Sequence, residues 1–570
     1  MSSKYLSHDV STSSDSETEK ARSEQSPQRQ GGRMTLRNIL VMTSIAGVYF
    51  ATIVHITGSG LLAQTIAKQL GGPSLSTWLS LGITIPPACL GPSISLAADF
   101  WGRKWMVVGC MLMGFTGALI VSRSEGIAQA IAGQVIAGFA QPGQALVHAI
   151  ISEITPRKYR PYAQMTLMIS VGLGAVTSLY VAGALAQNNP DGFRNFMYFA
   201  AALYFTIAAI MAVMYTPALR TIQHLTLREK LYKFDIGGSL LTLIGFLDLC
   251  IGLGWSNNPY PWTSARVLAP FLIGIVCILA LPLYSTFINP DGIWHRDFFH
   301  SRNFAIGMLC IFFEGFLFFG FVNYFPYQIA FLYQKNLFDT ALETSIAFYF
   351  VPIGGALAGA YAAQTKTLRV PLVTSFIFMV CFYGPLAATG LSDNTQLWGL
   401  GVFFGLALGT ATPIVVTLVQ LSVPAELIST VSGLVMATRA IGGTLGLAVF
   451  AAIFNSAVKD NFAPKVAAAA LPLGLPQSSL GPLLGTLSAN DQAALQHIPG
   501  VTPQIIQASF GAMLQAFHIA FRNVYIMCAA LAAFAIFVSI PLKEPKAEFT
   551  DEVDEPLFEG KPAMQHGGSV

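Results

Sequence analysis

The chain has 570 residues, of which 54 % are hydrophobic and only 10 % charged, with a mean hydropathy of +0.59 and a formal net charge of +3. A soluble globular protein carries about a quarter charged residues, so a water-soluble domain is excluded, and so small a net charge gives no electrostatic footprint for nucleic acid. The cysteines, Cys89, Cys110, Cys250, Cys277, Cys310, Cys381 and Cys528, all fall inside apolar stretches. They read as buried free thiols, and neither a metal site nor a cofactor is expected.

In chain order, residues 1–37 form a polar, Ser-rich segment expected to be a disordered cytoplasmic tail. Apolar runs then follow at 38–61, 74–98, 104–122, 127–152, 162–186, 195–216, 236–255, 266–288, 303–328, 341–363, 370–390, 397–421, 428–455 and 519–541. A run of about 20 such residues spans about 30 Å of hydrocarbon as a helix, and in lipid the backbone must satisfy its own hydrogen bonds. The fold class is therefore an all-α polytopic membrane protein with 14 transmembrane helices. Most of the 31 Lys and Arg residues fall in alternate loops and both tails, including Arg157, Lys158, Arg228, Lys230, Lys366 and Arg369. The positive-inside rule places both termini in the cytoplasm. The first span is expected to act as its own insertion signal. Between spans 13 and 14, residues 456–518 form one long outer loop rich in Ala, Leu, Gly and Pro, expected to pack partly helical against the outer membrane face.

Ionisable groups inside apolar helices are costly and are functional candidates. In chain order they are His55, His148, Asp248, Glu314 and Arg439. Span 4 carries Gln134, Gln141 and His148 at seven-residue spacing, flanked by Gly138 and Ala145. One face of that helix is thus polar and small, and it is expected to line a water-filled cavity; helix–helix hydrogen bonding is the alternative. Pro142 gives the helix a place to bend. Thr410, Thr412 and Thr417 of span 12, with Pro413, are candidates for the facing wall. Asp248 lies in span 7 and reads as structural. Glu314 sits in "CIFFEGFLFFGF", where apolar surroundings favour its neutral form and suit a reversible proton carrier. Arg439 either partners Glu314 or hydrogen-bonds backbone carbonyls. His55 and His148 are further candidates for proton coupling. The phenylalanines around Glu314 are expected to face lipid or pack between helices, with some free to stack on a bulky apolar ligand.

The stretch "SLAADFWGRKWM" joins spans 2 and 3 and concentrates charge in an otherwise apolar region. Positive-inside anchoring accounts for Arg103 and Lys104 but not for Asp99. The pattern Asp99-x-x-Gly102-Arg103-Lys104 resembles the signature loop of the major facilitator superfamily of secondary transporters, with Ser95 and Phe100 replacing a Gly and an Arg. The resemblance implies a gate motif in which the acid pairs with bases or a helix N-terminus when that side of the membrane is shut. It also implies two six-helix halves plus two inserted helices. The first half would be 38–216, a basic linker with the two inserted helices 217–301, and the second half 302–541 with outer loop 456–518, ahead of a cytoplasmic tail at 542–570.

"SEITPRKYR" (152–160), "FDIGGSLLTLIGFLDLCIGLGWSNNPYPW" (234–262) and "ATRAIGGTLGLAVF" (437–450) are similar to fourteen-span fungal drug:proton antiporters of the trichothecene efflux-pump kind. In span 5, Gly174, Ser178, Ala182 and Gly183 keep the family's small residues, but Leu179 stands where its antiporters have Pro. Gln134 stands where they often have Arg, so the motifs alone do not carry antiport. The resemblance implies a monomeric, non-enzymatic transporter in the cell membrane, or a vacuolar or vesicle membrane. It would use the proton gradient to export a small hydrophobic metabolite. The alternative is proton-coupled import of a ferric siderophore. A primary pump is excluded because no G-x-x-x-x-G-K-[ST] phosphate loop occurs, and a membrane enzyme lacks convergent catalytic groups.

Overall fold

A computed structural model describes residues 36–551, except 216–225, 257–259, 291, 296–297, 299–300, 392–393, 425–426, 490–494 and 496. The expected polar tail before residue 36, the first part of the basic linker and the C-terminal residues after 551 lie outside the described residues. Among the described residues, 14 helices are long and apolar enough to cross a membrane, and no strand is present.

The first six spans are Leu36–Gln69, Ser76–Trp101, Arg103–Ser122, Ile127–Gly138 continued by Pro142–Glu153, Arg160–Ala186 and Gly192–Met214. Spans 7 and 8 are Ile236–Trp255 and Ala265–Phe287. The last six are Arg302–Leu332, Leu337–Thr365, Arg369–Ala388, Asn394–Gln420, Ile428–Ala470 and Pro503–Ser539. Polar residues fix the helix starts. Ser301 and Asn336 cap spans 9 and 10 by accepting from Phe304 N and Asp339 N, and Asp235 accepts from Gly238 N at the start of span 7. Span 4 breaks before Pro142, which has no amide hydrogen to give. Across the break the ladder tightens, with Ala140 N donating to Ala137 O and Gln141 N to Gly138 O.

Spans 13 and 14 depart from expectation. They run 43 and 37 residues, well past the membrane, so most of the expected outer loop is helical. Their extensions and a short helix, Leu480–Ala489, bury a separate core around Val466, Leu483, Leu487, Ile505 and Met513. Ala-rich sequence such as "VAAAALPL" continues a helix as readily as it forms a loop, because Ala has the highest helix propensity. Five of the seven cysteines are buried and all are free; Cys277 and Cys381 are half-buried.

The two halves meet along two seams, span 2 against span 13 and span 5 against span 10. Glycines permit the approach: a Cβ on Gly433 would lie 2.4 Å from Ser95 Oγ, and one on Gly172 2.8 Å from Phe348 O. Span 7 packs on span 8, span 2 and span 13, whereas span 8 exposes Leu272, Val276, Leu279, Leu283 and Phe287 on the molecule's outer face.

Candidate transport site

At the turn between spans 2 and 3 the backbone reverses through one residue, Gly102, at φ +97°, a conformation that side chains with a Cβ rarely adopt. The turn places Arg103 Nη2 3.2 Å from Asp99 Oδ1, and Arg103 also pairs with Glu153, the last residue of span 4. Asp99, Arg103 and Glu153 are all buried. One guanidinium thus serves two carboxylates in a poorly solvated place, where breaking a buried pair is costly. Lys104 stands apart over the Trp105 ring. Of the four expected gate residues, Asp99, Gly102 and Arg103 come together and Lys104 does not join them. Glu153 was not singled out from sequence, although its signal is there: an acid closing an apolar helix.

Beside this cluster a chain of neutral hydrogen bonds crosses from one half to the other. His148 Nδ1 lies 2.5 Å from Gln164 Oε1 and Nε2 3.4 Å from the Tyr49 hydroxyl. Gln164 Nε2 donates to Ser152 Oγ (2.6 Å), Ser152 Oγ to Gln420 Oε1 (2.6 Å), and Gln420 Nε2 to Ser432 Oγ (2.8 Å). Residues from spans 1, 4 and 5 are so tied to spans 12 and 13. The segment after span 14 crosses the same end. Glu544 accepts from Leu368 N (2.7 Å) and Arg369 N (3.2 Å), Asn303 and Lys543 bond reciprocally, Arg157 lies 3.3 Å from Glu548, and Lys158 pairs with Asp551. We call this the latch end.

At mid-membrane, Arg439 Nε donates to Glu314 Oε2 (2.6 Å) and Nη2 to Oε1 (2.9 Å), and Thr412 Oγ1 donates to Oε1 (3.2 Å). Glu314 is fully buried, and the guanidinium lies 4.4 Å over the Phe318 ring. Arg439 is therefore the partner of Glu314, in bidentate geometry that adds strength and direction. The approach needs Gly315, where a Cβ would sit 2.0 Å from Arg439 O. Arg439 also lines a small cavity of about 30 Å³ between the halves, with Gln141, Gln144, Thr84 and Phe319. The Gln141 Nε2 there is buried and has no hydrogen-bond partner.

The structure divides the expected span 4 stripe. Gln141 lines the small cavity. Gln134 is fully buried, 2.8 Å from His55 Nε2 and donating to Ser59 Oγ at 3.2 Å, and His148 belongs to the latch-end chain. The threonines separate likewise: Thr412 reaches Glu314, Thr410 donates to Gly354 O on span 10, and Thr417 donates to Pro413 O in its own helix. Most of the span 9 phenylalanines are buried between helices, Phe321 stacking on Phe404 with ring centroids 3.9 Å apart.

At the other end, between the outer parts of spans 1, 2, 9, 10 and 13, lies a cavity of about 300 Å³. Polar Asn323, Thr340 and Asn455 and aromatic Trp78, Tyr324, Tyr327 and Phe454 line it, with no charged residue among the described lining. Lys335 and Glu343 pair nearby, off its wall. Thr444 Oγ1 donates to Thr84 Oγ1 across the halves at 2.9 Å; Thr84 borders the small cavity. We call this the cavity end.

The model of the fungal trichothecene efflux pump family (TRI12) matches residues 39–567. The chain belongs to that family. Over 530 residues it is 21 % identical to the trichothecene efflux pump TRI12 of Fusarium sporotrichioides, covering 91 % of this chain and 88 % of the relative. It is 23 % identical to the efflux pump FUS6 of Gibberella moniliformis, covering 77 % and 78 %. Its fold is that of major facilitator transporters. The proton:xylose symporter XylE superposes with a TM-score of 0.53 at 12 % identity, covering 91 % of this chain and 97 % of that one. The human organic anion transporter MFSD10 superposes with a TM-score of 0.52 at 12 % identity, covering 89 % and 100 %. The chain is a multi-pass membrane transporter of an efflux family and not an enzyme.

Proposed function

We propose that the protein exports an uncharged, apolar small molecule across the cell membrane in exchange for protons, with Glu314 as the proton-carrying group. The observation that carries this reading is the buried Glu314–Arg439 pair, placed against the small cavity between the halves. A bidentate ion pair in apolar surroundings is a two-state element: ionised Glu314 holds Arg439, and a protonated carboxyl loses the charge that holds it. Released, the guanidinium has the cavity beside it, lined by Gln141 and Gln144. Proton arrival thus changes the hydrogen-bonding character of the region between the halves. That is the change a coupled transporter needs.

The substrate class rests on the cavity end. Its described lining mixes aromatic faces with neutral donors and acceptors, which suits a ring-bearing, oxygenated, uncharged molecule. The names of the relatives, trichothecene efflux pumps, agree with that chemistry. The distribution of basic loops supports a cytoplasmic latch end, which makes this conformation the outward-facing one in the proposed cycle; the proposal is of a single chain working as a monomer.

The test uses full-length protein in proteoliposomes with a radiolabelled trichothecene. Glu314→Gln is expected to keep exchange of substrate down its own gradient and to lose accumulation driven by an imposed proton gradient. Because that variant leaves Arg439 buried without its anion, Glu314→Gln/Arg439→Gln is measured beside it, with the same expectation. Full gradient-driven accumulation by either variant overturns the coupling role.

A further inference from the structure

The two inserted helices look peripheral by position, lying between the halves in sequence and carrying lipid-facing side chains on span 8. At the cavity end, however, span 7 leaves the periphery. Leu253, Gly254 and Ser256 line the large cavity, together with Trp78 and Leu81 of span 2. The fit there is close. A Cβ on Gly254 would lie 2.9 Å from Trp78 Cζ2 and 3.4 Å from Leu81 Cδ1, so the indole rests on bare backbone. Trp255 closes the corner, its ring 6.4 Å from Trp78 and 6.0 Å edge-on from Tyr260.

Span 7 touches both span 2 of the first half and span 13 of the second. Toward the latch end those two spans touch directly, a Cβ on Gly91 lying 3.3 Å from Ala437 Cβ. Toward the cavity end both contribute to the cavity wall, span 2 through Trp78 and Leu81 and span 13 through Leu447 and Ala451. Span 7 therefore lies over the seam where the halves part. Its latch-end terminus is fixed: Asp235 accepts from Gly238 N (2.9 Å), Ile293 N (3.0 Å) and the Tyr284 hydroxyl (2.8 Å). Trp294 Nε1 donates to Thr242 Oγ1 at 3.2 Å. Gly245, Gly252 and Gly274 let spans 7 and 8 approach backbone to backbone, the packing that holds helices together in lipid.

We propose that the Leu253–Ser256 turn of span 7 is a wall of the substrate site, and that the Gly254–Trp78 contact determines which substrates fit. The ligand class is an uncharged, ring-bearing molecule with oxygen acceptors, which stacks on Trp78 and hydrogen-bonds to neutral groups such as Ser256 and Asn323. This inference rests on the transport reading above for its ligand and on the cavity geometry for its wall.

The experiment places single cysteines at Leu253, Ser256, Asn323 and Ile244 in a full-length chain whose seven native cysteines are replaced. The proteoliposomes are freeze–thawed with a charged maleimide, so that both faces are reached. Leu253→Cys and Ser256→Cys are expected to react at rates within about tenfold of Asn323→Cys on the opposite wall. Ile244→Cys, on the exposed face of span 7, is expected not to react. Excess trichothecene should slow labelling at 253, 256 and 323 at least fivefold. Positions 253 and 256 as unreactive as 244 would overturn the wall. So would reaction there that trichothecene leaves unchanged while 323 is protected. Protection at none of the three would count against the substrate reading instead, and the relative reactivities would still decide the wall.

Discussion

The two ends of this transporter are built from different chemistry. The latch end is held by groups that share protons and charge: Arg103 between Asp99 and Glu153, the Gln164–Ser152–Gln420–Ser432 chain, and the crossing segment with its Arg157–Glu548 and Lys158–Asp551 pairs. The cavity end has an uncharged described lining and stays parted at the seam between spans 2 and 13. The difference follows from what each end must do. Polar pairs have definite geometry and break as units, which suits the proposed latch with two discrete states. An aromatic, neutral lining tolerates several ligand orientations and imposes no desolvation cost for a counter-charge on an apolar ligand. Midway between them, the Glu314–Arg439 pair places charge beside a cavity between the halves, Arg439 lining it.

The comparison breaks most severely at Arg103. Arg103→Ala removes the guanidinium that pairs with the buried carboxylates of Asp99 and Glu153, and breaking such a pair costs about 3–5 kcal/mol. The expected result is a large loss of folded protein in thermal-stability assays in detergent. Asp99→Asn should be milder, with near-normal surface amounts and reduced transport, and unchanged turnover in that variant would remove Asp99 from the latch. At the centre, Glu314→Gln alone should destabilise by a similar about 3–5 kcal/mol, and adding Arg439→Gln should recover part of it. Equal stability of single and double variants would mean that the pair is not a unit. Gln420→Leu takes the acceptor from the Ser152 hydroxyl and the donor from the Ser432 hydroxyl, leaving them only Gln164 Nε2 and Ile428 O, a loss worth about 1–3 kcal/mol. It should raise labelling of a cysteine placed at Ser152, because the latch end opens more often. The smallest effect belongs to the crossing segment. Lys158→Glu should loosen it, as read by protease cleavage near residue 551, and Lys158→Glu/Asp551→Lys should restore protection. High salt should mimic the single variant, since half-exposed pairs are screened.

Much of the fold was legible in the sequence because lipid allows so few solutions. Hydropathy located all the spans, and the Asp99-x-x-Gly102-Arg103-Lys104 pattern marked the latch turn. Glu314 and Arg439 stood out for the same reason, charge against an apolar background. What was not legible had no such contrast. Gln164, Ser152 and Gln420 are ordinary neutral residues in long helices, and only tertiary packing brings residues as distant as 152 and 420 to 2.6 Å. Gln134, Gln141 and His148 share a seven-residue spacing but not a fate, because the break before Pro142 and different neighbours separate them. A partly helical outer stretch was legible, but the ends of spans 13 and 14 were not, because Ala- and Leu-rich sequence gives no sharp boundary between a span and its helical extension. Span 7 carries no motif that marks it as a cavity helix, and only the packing of Gly254 on Trp78 brings it to the cavity.

The central claim is that the latch end and the cavity end open in alternation. The most direct measurement is double electron–electron resonance on spin-labelled protein in lipid nanodiscs. One label pair sits at Gln64 and Asn455, both exposed at the cavity rim, and a second at Thr155 and Ser422, at the latch-end termini of spans 4 and 12. Adding trichothecene and lowering the pH should shift the population so that the 64–455 distance shortens as the 155–422 distance lengthens, in matching proportions. Distances that change in the same direction, or a cavity end that closes while the latch end stays fixed, would contradict the account.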